Sequence, residues 1–181
     1  MKYTLLLLIP FMLLSFKPEA SIYICKEGKV NFISDAPLEL ITASSDKLAG
    51  VLNVESRSFT FSVASATFEG FNSALQRTHF NEDYMESEKY PSSTFKGKII
   101  EEVDISAPGK YNVRAKGKLT IHGVEFDRII RCDLVTEENK IAVHSDFTVF
   151  LDDHNISVPT IVNKKIAEEI KVEINLTLTR Q

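Results

Sequence analysis

The chain's 181 residues include 21 basic and 25 acidic side chains, for a net charge of −4. No basic cluster stands out from the alternating segments, which argues against nucleic acid as a partner. A hydrophobic content of 44% at this length suits one compact domain whose core needs no covalent staples, and two cysteines are too few for a disulfide scaffold.

In chain order, Lys2 precedes an apolar run over residues 5–16, interrupted only by Pro10 and Ser15, and Ala20 closes the segment. This predicts a secretory signal peptide over residues 1–20, cleaved after Ala20, with residues 21–181 as a single exported domain. The run is short for a membrane span and none of its length follows, so retention as an uncleaved anchor is the lesser alternative. Removing Lys2, Lys17 and Glu19 leaves 19 basic and 24 acidic residues, a net −5. Cys25 follows Ile24, where lipid attachment would need a small residue.

Short strand signals come next: residues 22–26, a turn at Glu27-Gly28, residues 30–33, residues 40–43, a polar turn at 44–47, and residues 48–54. Phe59, Phe61 and Val63 then alternate with Thr60 and Ser62. Between Gly70 and Pro91 the period of two is lost, and the spacing of Phe71, Leu75 and Phe80 predicts one or two short helices with Asn72 as N-cap. Longer strands are predicted over 95–103, 111–121, 125–135, 141–151 and 169–179, with turns at 107–109, His122-Gly123 and 137–139. Residues 152–165 form a second excursion.

The cleanest alternation places Tyr111, Val113, Ala115, Gly117, Leu119 and Ile121 on one face, against Lys110, Asn112, Arg114, Lys116, Lys118 and Thr120. Its apolar face is bulky at both ends and small in the middle. The same profile recurs in Phe95, Gly97, Ile99 and in Leu48, Gly50, Leu52, Val54. Hollow apolar faces on several strands suggest a sheet wrapped around a space for a hydrocarbon ligand. Alternatively, the glycines only let the strands coil sharply at a barrel wall. The fold class is all-β. The long strands and the absence of Trp favour a closed antiparallel barrel of about eight strands over an antibody-like sandwich.

No residue constellation points to chemistry. His79, His122, His144 and His154 form no HExxH pair, Cys25 and Cys132 form no CxxC, and no G-x-S-x-G elbow occurs, so neither metal, cofactor nor catalysis is expected. Asp152-Asp153-His154 has no evident nucleophile, and Glu82, Asp83, Glu86 and Glu88 read as a solvated face. Cys132, in register with Phe126, Ile130 and Leu134, is expected as a buried free thiol rather than half of a bridge to Cys25. Arg128 sits in the same apolar register, where it would meet a bound anion or else snorkel or pair with an internal acid. His79 could hydrogen-bond a ligand head group or simply tie its loop to the barrel.

Three blocks then become informative together: THFNEDYMESEKYPSSTFKGKI, GKLTIHGVEFDRIIRC and VPTIVNKKIAEEIKVEINLTL. The first carries His79, Phe80, Asp83, Tyr84, Tyr90, Pro91 and Phe95; the second carries Gly117, Leu119, Thr120, Ile121, Gly123 and Val124. In these motifs, which extend over most of the chain beyond the leader, the sequence resembles the YceI-like family of exported bacterial polyisoprenoid-binding proteins. It departs from that family where Tyr23 and Asn31-Phe32-Ile33-Ser34-Asp35 replace a Trp and an Asp-x-x-His-Ser stretch, so no head-group contact is carried over there.

The resemblance implies an extended lipocalin-like barrel with a long apolar tunnel, partly closed by the helical excursion, that holds an isoprenoid or similar amphiphile. The expected wall comprises Phe61, Phe95, Gly117, Leu119, Ile121, Phe126, Phe147, Val149, Ile174 and Leu176. Phe71, Leu75, Phe80, Tyr84 and Met85 would form a lid, with His79 and Arg128 as polar contacts. Isoprenoid alcohols, quinones and fatty-acyl chains offer the same hydrocarbon, and a homodimer is compatible with the pattern. The expected role is a non-enzymatic carrier or sequestering protein. Its alternatives are a secreted interaction module with a filled barrel and, less favoured, a weak hydrolase acting on amphiphiles.

Overall fold

The computed structural model describes residues 22–181; the expected signal peptide and its cleavage site lie outside the described residues. Eight antiparallel strands, each hydrogen-bonded to its sequence neighbours, close into a barrel in which the first strand also pairs with the last. They are β1 (Ile22–Asp35), β2 (Leu40–Asn53), β3 (Ser58–Ala64), β4 (Ser92–Ile99), β5 (Gly109–Ile121), β6 (Val124–Glu137), β7 (Lys140–Phe150) and β8 (Glu169–Arg180). One short helix, α1 (Ala74–His79), lies between β3 and β4.

The strands follow from alternation, with one instructive exception. On β5, Val113, Ala115 and Leu119 are buried while Lys110, Arg114, Lys116 and Lys118 face outward, as the period of two requires. In the first two strands the expected turns at Glu27-Gly28 and 44–47 are instead facing bulges within continuous β1 and β2, where the register shifts between Cys25 and Val30. Inward residues accordingly switch from Tyr23 and Cys25 to Val30 and Ser34 on β1, and from Ala43 and Ser45 to Leu48 and Leu52 on β2. A bulge adds one residue to a strand and reverses which parity faces the core, so an uninterrupted strand reads in sequence as two short ones.

Strand β4 ends at Ile99 rather than 103. Residues 100–108 cross the barrel's end instead, burying Ile105, whose carbonyl accepts a 2.9 Å hydrogen bond from Thr136 Oγ1. With buried Tyr23, Ile141 and Leu178, this loop closes one end.

Both long excursions, 65–91 and 151–168, leave from the opposite end, where neither the β2–β3 nor the β6–β7 ladder is complete. Strands β2 and β3 pair only over Ala49–Asn53 with Ser58–Ser62, and β6 and β7 only over Asp133–Glu137 with Lys140–His144. The first gap is filled by the helical excursion, whose Glu69 exchanges backbone hydrogen bonds of 2.8 and 2.9 Å with Ser44 of β2. Side chains span the second. Ser145 Oγ donates to the Arg131 carbonyl at 2.7 Å, Arg128 Nη2 to the Thr148 carbonyl at 2.6 Å, and His154 Nδ1 to the Val124 carbonyl at 3.1 Å. Carbonyls lacking ladder partners are thereby satisfied.

Ser73, not Asn72, caps α1: its Oγ accepts from Gln76 N at 3.2 Å, whereas Asn72 Nδ2 donates to the Leu40 carbonyl and anchors the excursion to β2. A single π-helical turn, Phe80–Tyr84, follows directly. The expected turn at His122-Gly123 is a two-residue hairpin with φ of +51° and +72°, a conformation that suits glycine at its second position.

Candidate ligand-binding cavity

Inward-facing residues of all eight strands enclose a cavity of about 650 Å³, a volume typical of small-molecule sites. It reaches from Val113, Leu134 and Leu178 near the closed end to Glu39, Gln76, Ile161 and Lys165 at the open one. On β8 the lining runs from Ile170 to Leu178, about 26 Å along a strand at roughly 3.3 Å per residue. The wall is hydrocarbon and aromatic, so water inside it gains few hydrogen bonds and an apolar chain gains dispersion contacts.

Two aromatic groups shape the space. Phe59 packs against Phe61 and Phe95 with centroids 5.9 and 5.0 Å away, on the β3–β4 wall. At the mouth, Phe32 of β1 meets Phe68, Phe71 and Phe80 of the excursion at 5.5, 5.9 and 5.4 Å, so the helical segment is held by ring packing on the barrel's inner face.

Polar lining groups gather at the same end. His79 Nδ1 donates to Asp83 Oδ2 at 2.5 Å, and Gln76 Nε2 donates to Glu39 Oε1 at 2.5 Å. Lys165 borders the opening beside them. Burial and the neighbouring Asp83 carboxylate push the Tyr84 phenol above its ordinary pKa, keeping it a neutral donor at the lip. Deeper in, Ser145 spends its hydroxyl on Arg131, and burial raises the Cys132 thiol, so the interior wall offers no ionised group. The arrangement suits an amphiphile entering tail first. Cys25 and Cys132 are both free.

Of the residues expected from sequence, Phe61, Phe71, His79, Phe80, Tyr84, Met85, Phe95, Leu119, Ile121, Phe147, Val149, Ile174 and Leu176 line this cavity. Four do not. Leu75 points away from the barrel and is 64% exposed. Gly117 is hemmed in by β4, where an added Cβ would lie 2.3 Å from the Lys96 carbonyl, so it serves close strand approach rather than a hollow wall. Phe126 and Arg128 have the inward parity of Ile130 and Cys132 but lie where β6 leaves β7. There the turn Asp152–His154 flanks them, with Phe126 39% exposed and edge-on to His154 and Arg128 Nη1 3.7 Å from Asp153 Oδ2. Arg128 thus has internal partners.

Sequence reading missed Phe32 and Phe68, and it missed Ile156, Pro159, Ile161, Val162 and Ile166 of the second excursion. Phe32 becomes inward only through the β1 bulge, and the excursion has no period from which a face could be inferred.

A closed eight-stranded barrel with an apolar cavity opening at one end is a lipocalin-like architecture. The pattern of the YceI-like domain matches residues 26–178, and the chain belongs to that family. Its fold is similar to that of a polyisoprenoid binding domain from Saccharophagus degradans implicated in plant cell wall breakdown (TM-score 0.77, 14% identity, covering 90% of this chain and 100% of that one). It is also similar to BcnA of Burkholderia cenocepacia (TM-score 0.68, 18% identity, 83% and 95% covered) and a Campylobacter jejuni YceI protein (TM-score 0.55, 18% identity, 75% and 80% covered). Comparison with curated proteins yields no match.

Proposed function

We propose that this chain is an exported, non-enzymatic binding protein that holds the tail of an isoprenoid or comparable long-chain amphiphile inside the barrel, as a carrier or sequestering agent. The observation that carries this reading is the segregation of the lining: a long hydrocarbon cavity of about 650 Å³ with its charged groups confined to one open end. Burying an apolar tail there yields about 25 cal/mol per Å² removed from water, while the polar lip leaves a head group hydrated. The leader-like residues 1–20 and the similarity to a domain described as polyisoprenoid binding support export and ligand class respectively. Quinones and fatty-acyl chains satisfy the same wall. An interaction module with a filled barrel accords poorly with so large an internal space.

Native mass spectrometry of the protein purified from its host tests the reading. A carrier retains a lipid-sized adduct that organic extraction removes, and the emptied protein takes up an added polyprenol. Empty protein that takes up neither polyprenol nor fatty acid overturns it.

A further inference from the structure

The barrel's open end carries apolar side chains that the cavity does not consume. Leu38, Leu40, Leu75 and Ile161 are 68, 55, 64 and 91% exposed. They stand on three segments that are bonded to one another. The Leu38 N–H donates to the Lys164 carbonyl at 2.9 Å, and Asn72 Nδ2 donates to the Leu40 carbonyl at 2.9 Å. Gln76, next to Leu75, reaches Glu39. The four residues thus sit on adjoining segments at the mouth, and Ile161 also lines the cavity, so the exposed rim and the interior are continuous there.

Charges of both signs surround this rim. Asp35 pairs with Lys171 at 3.5 Å, Glu69 with Arg77 at 3.9 Å, and Glu39 accepts from Gln76, while Glu168 and Glu169 at the end of the second excursion are exposed. Lys164 and Lys165, on the loop carrying Ile161, are exposed and have no ion-pair partner among the described residues.

We propose that this rim docks on a phospholipid bilayer, with Leu38, Leu40, Leu75 and Ile161 entering the interface and Lys164 and Lys165 meeting headgroup phosphates. The inference rests on the cavity's being an amphiphile site. A tail crossing water would expose its whole length, whereas a rim continuous with the cavity lets it pass from one apolar phase to the other. Because the chain is net acidic, attraction at a distance contributes little and attachment is chiefly apolar. A second copy seated here would instead block the opening.

The test is co-sedimentation of the protein, purified as the host produces it, with phosphatidylethanolamine–phosphatidylglycerol vesicles. Wild type binds and remains bound in high salt. Leu38→Glu combined with Leu75→Glu, at exposed positions outside the cavity lining, lowers partitioning at least about tenfold. Lys164→Gln, outside the cavity lining, weakens binding about fivefold on these vesicles and has a smaller effect on phosphatidylcholine vesicles, whose headgroups carry no net charge. Uptake of a fatty-acid probe delivered as monomer is unchanged in all variants.

Wild type that stays in the supernatant overturns the proposal, as does equal sedimentation of the Glu variant. A mouth-dependent dimer without vesicle binding also overturns it and assigns the rim to a second copy. If vesicle binding behaves as described while no protein takes up probe, the docking surface stands and the cavity reading falls.

Discussion

Gly97 of β4 and Gly117 of β5 face each other so closely that neither has room for a side chain. A Cβ on Gly97 would lie 2.1 Å from the Lys116 carbonyl, and one on Gly117 would lie 2.3 Å from the Lys96 carbonyl. The obstacle is backbone, which cannot swing aside as a side-chain tip can. Gly117→Ala should therefore destabilise the barrel by about 3 kcal/mol, at the upper end of overpacking penalties, and Gly117→Leu should leave little folded protein. Urea unfolding of the alanine variant checks this; an unchanged midpoint would mean that β4 and β5 separate at no cost.

Filling the cavity requires another position, and Ala115 supplies it. Its methyl group lines the space two residues from Gly117, beside Ile130 across the ladder. Ala115→Leu adds branched carbon where a guest would lie, removing about 60 Å² of apolar contact and lowering affinity for a fluorescent fatty-acid probe about tenfold. The thermal midpoint should stay within a few degrees of wild type, because the new side chain fills space rather than displacing neighbours. Unchanged probe affinity would remove Ala115 from the binding wall.

These two positions mark how far the sequence could be read. The alternation from Tyr111 to Ile121 is enough to name β5 and its inward face, and hydrophobic period alone distinguishes Ala115 from Lys116. It cannot tell a small residue beside a void from a small residue beside a backbone. Gly117 and Ala115 look alike in sequence, and only the third dimension separates them. The four-ring cluster at the mouth was half legible: Phe71 and Phe80 stand out in a helix-like stretch, but Phe32 points inward only because the bulge at Cys25–Val30 reverses the parity of β1. Irregular segments such as 155–166 carry no period at all, so their lining residues have no sequence signature.

Arg128 is engaged by the wall itself. Its guanidinium, 18% exposed, donates to the Thr148 carbonyl and lies near Asp153 where β6 and β7 are unpaired. Arg128→Met should remove a charge-assisted hydrogen bond and leave the Thr148 carbonyl without its donor, costing about 2 kcal/mol. That corresponds to a drop of about 5 °C in thermal midpoint for a domain of this size. Discrimination between fatty acid and fatty alcohol probes should be unaltered. A selective loss of the acid would restore Arg128 as an anion contact.

His154 sets a pH limit on the same seam. Its side chain is fully buried, and Nδ1 donates to the Val124 carbonyl, which can only accept, so the neutral ring must carry its proton on Nδ1. Nε2 has no partner among the described residues, and a second proton there would put an unpaired charge in the interior. Burial accordingly lowers the folded-state pKa below 6.5. The stabilisation is present above that value and is lost as pH falls toward the folded pKa, because the unfolded chain takes up a proton that the folded one refuses. The slope approaches about 1.4 kcal/mol per pH unit. His144 works in the opposite sense: the Asn175 hydrogen bond and the Asp146 carboxylate raise its pKa on the exposed face. Thermal melts from about pH 7.5 to 5.5 should show falling stability in wild type and a flatter profile in His154→Asn, which keeps a donor for Val124 but does not titrate. Identical slopes would place the acid sensitivity elsewhere in the barrel.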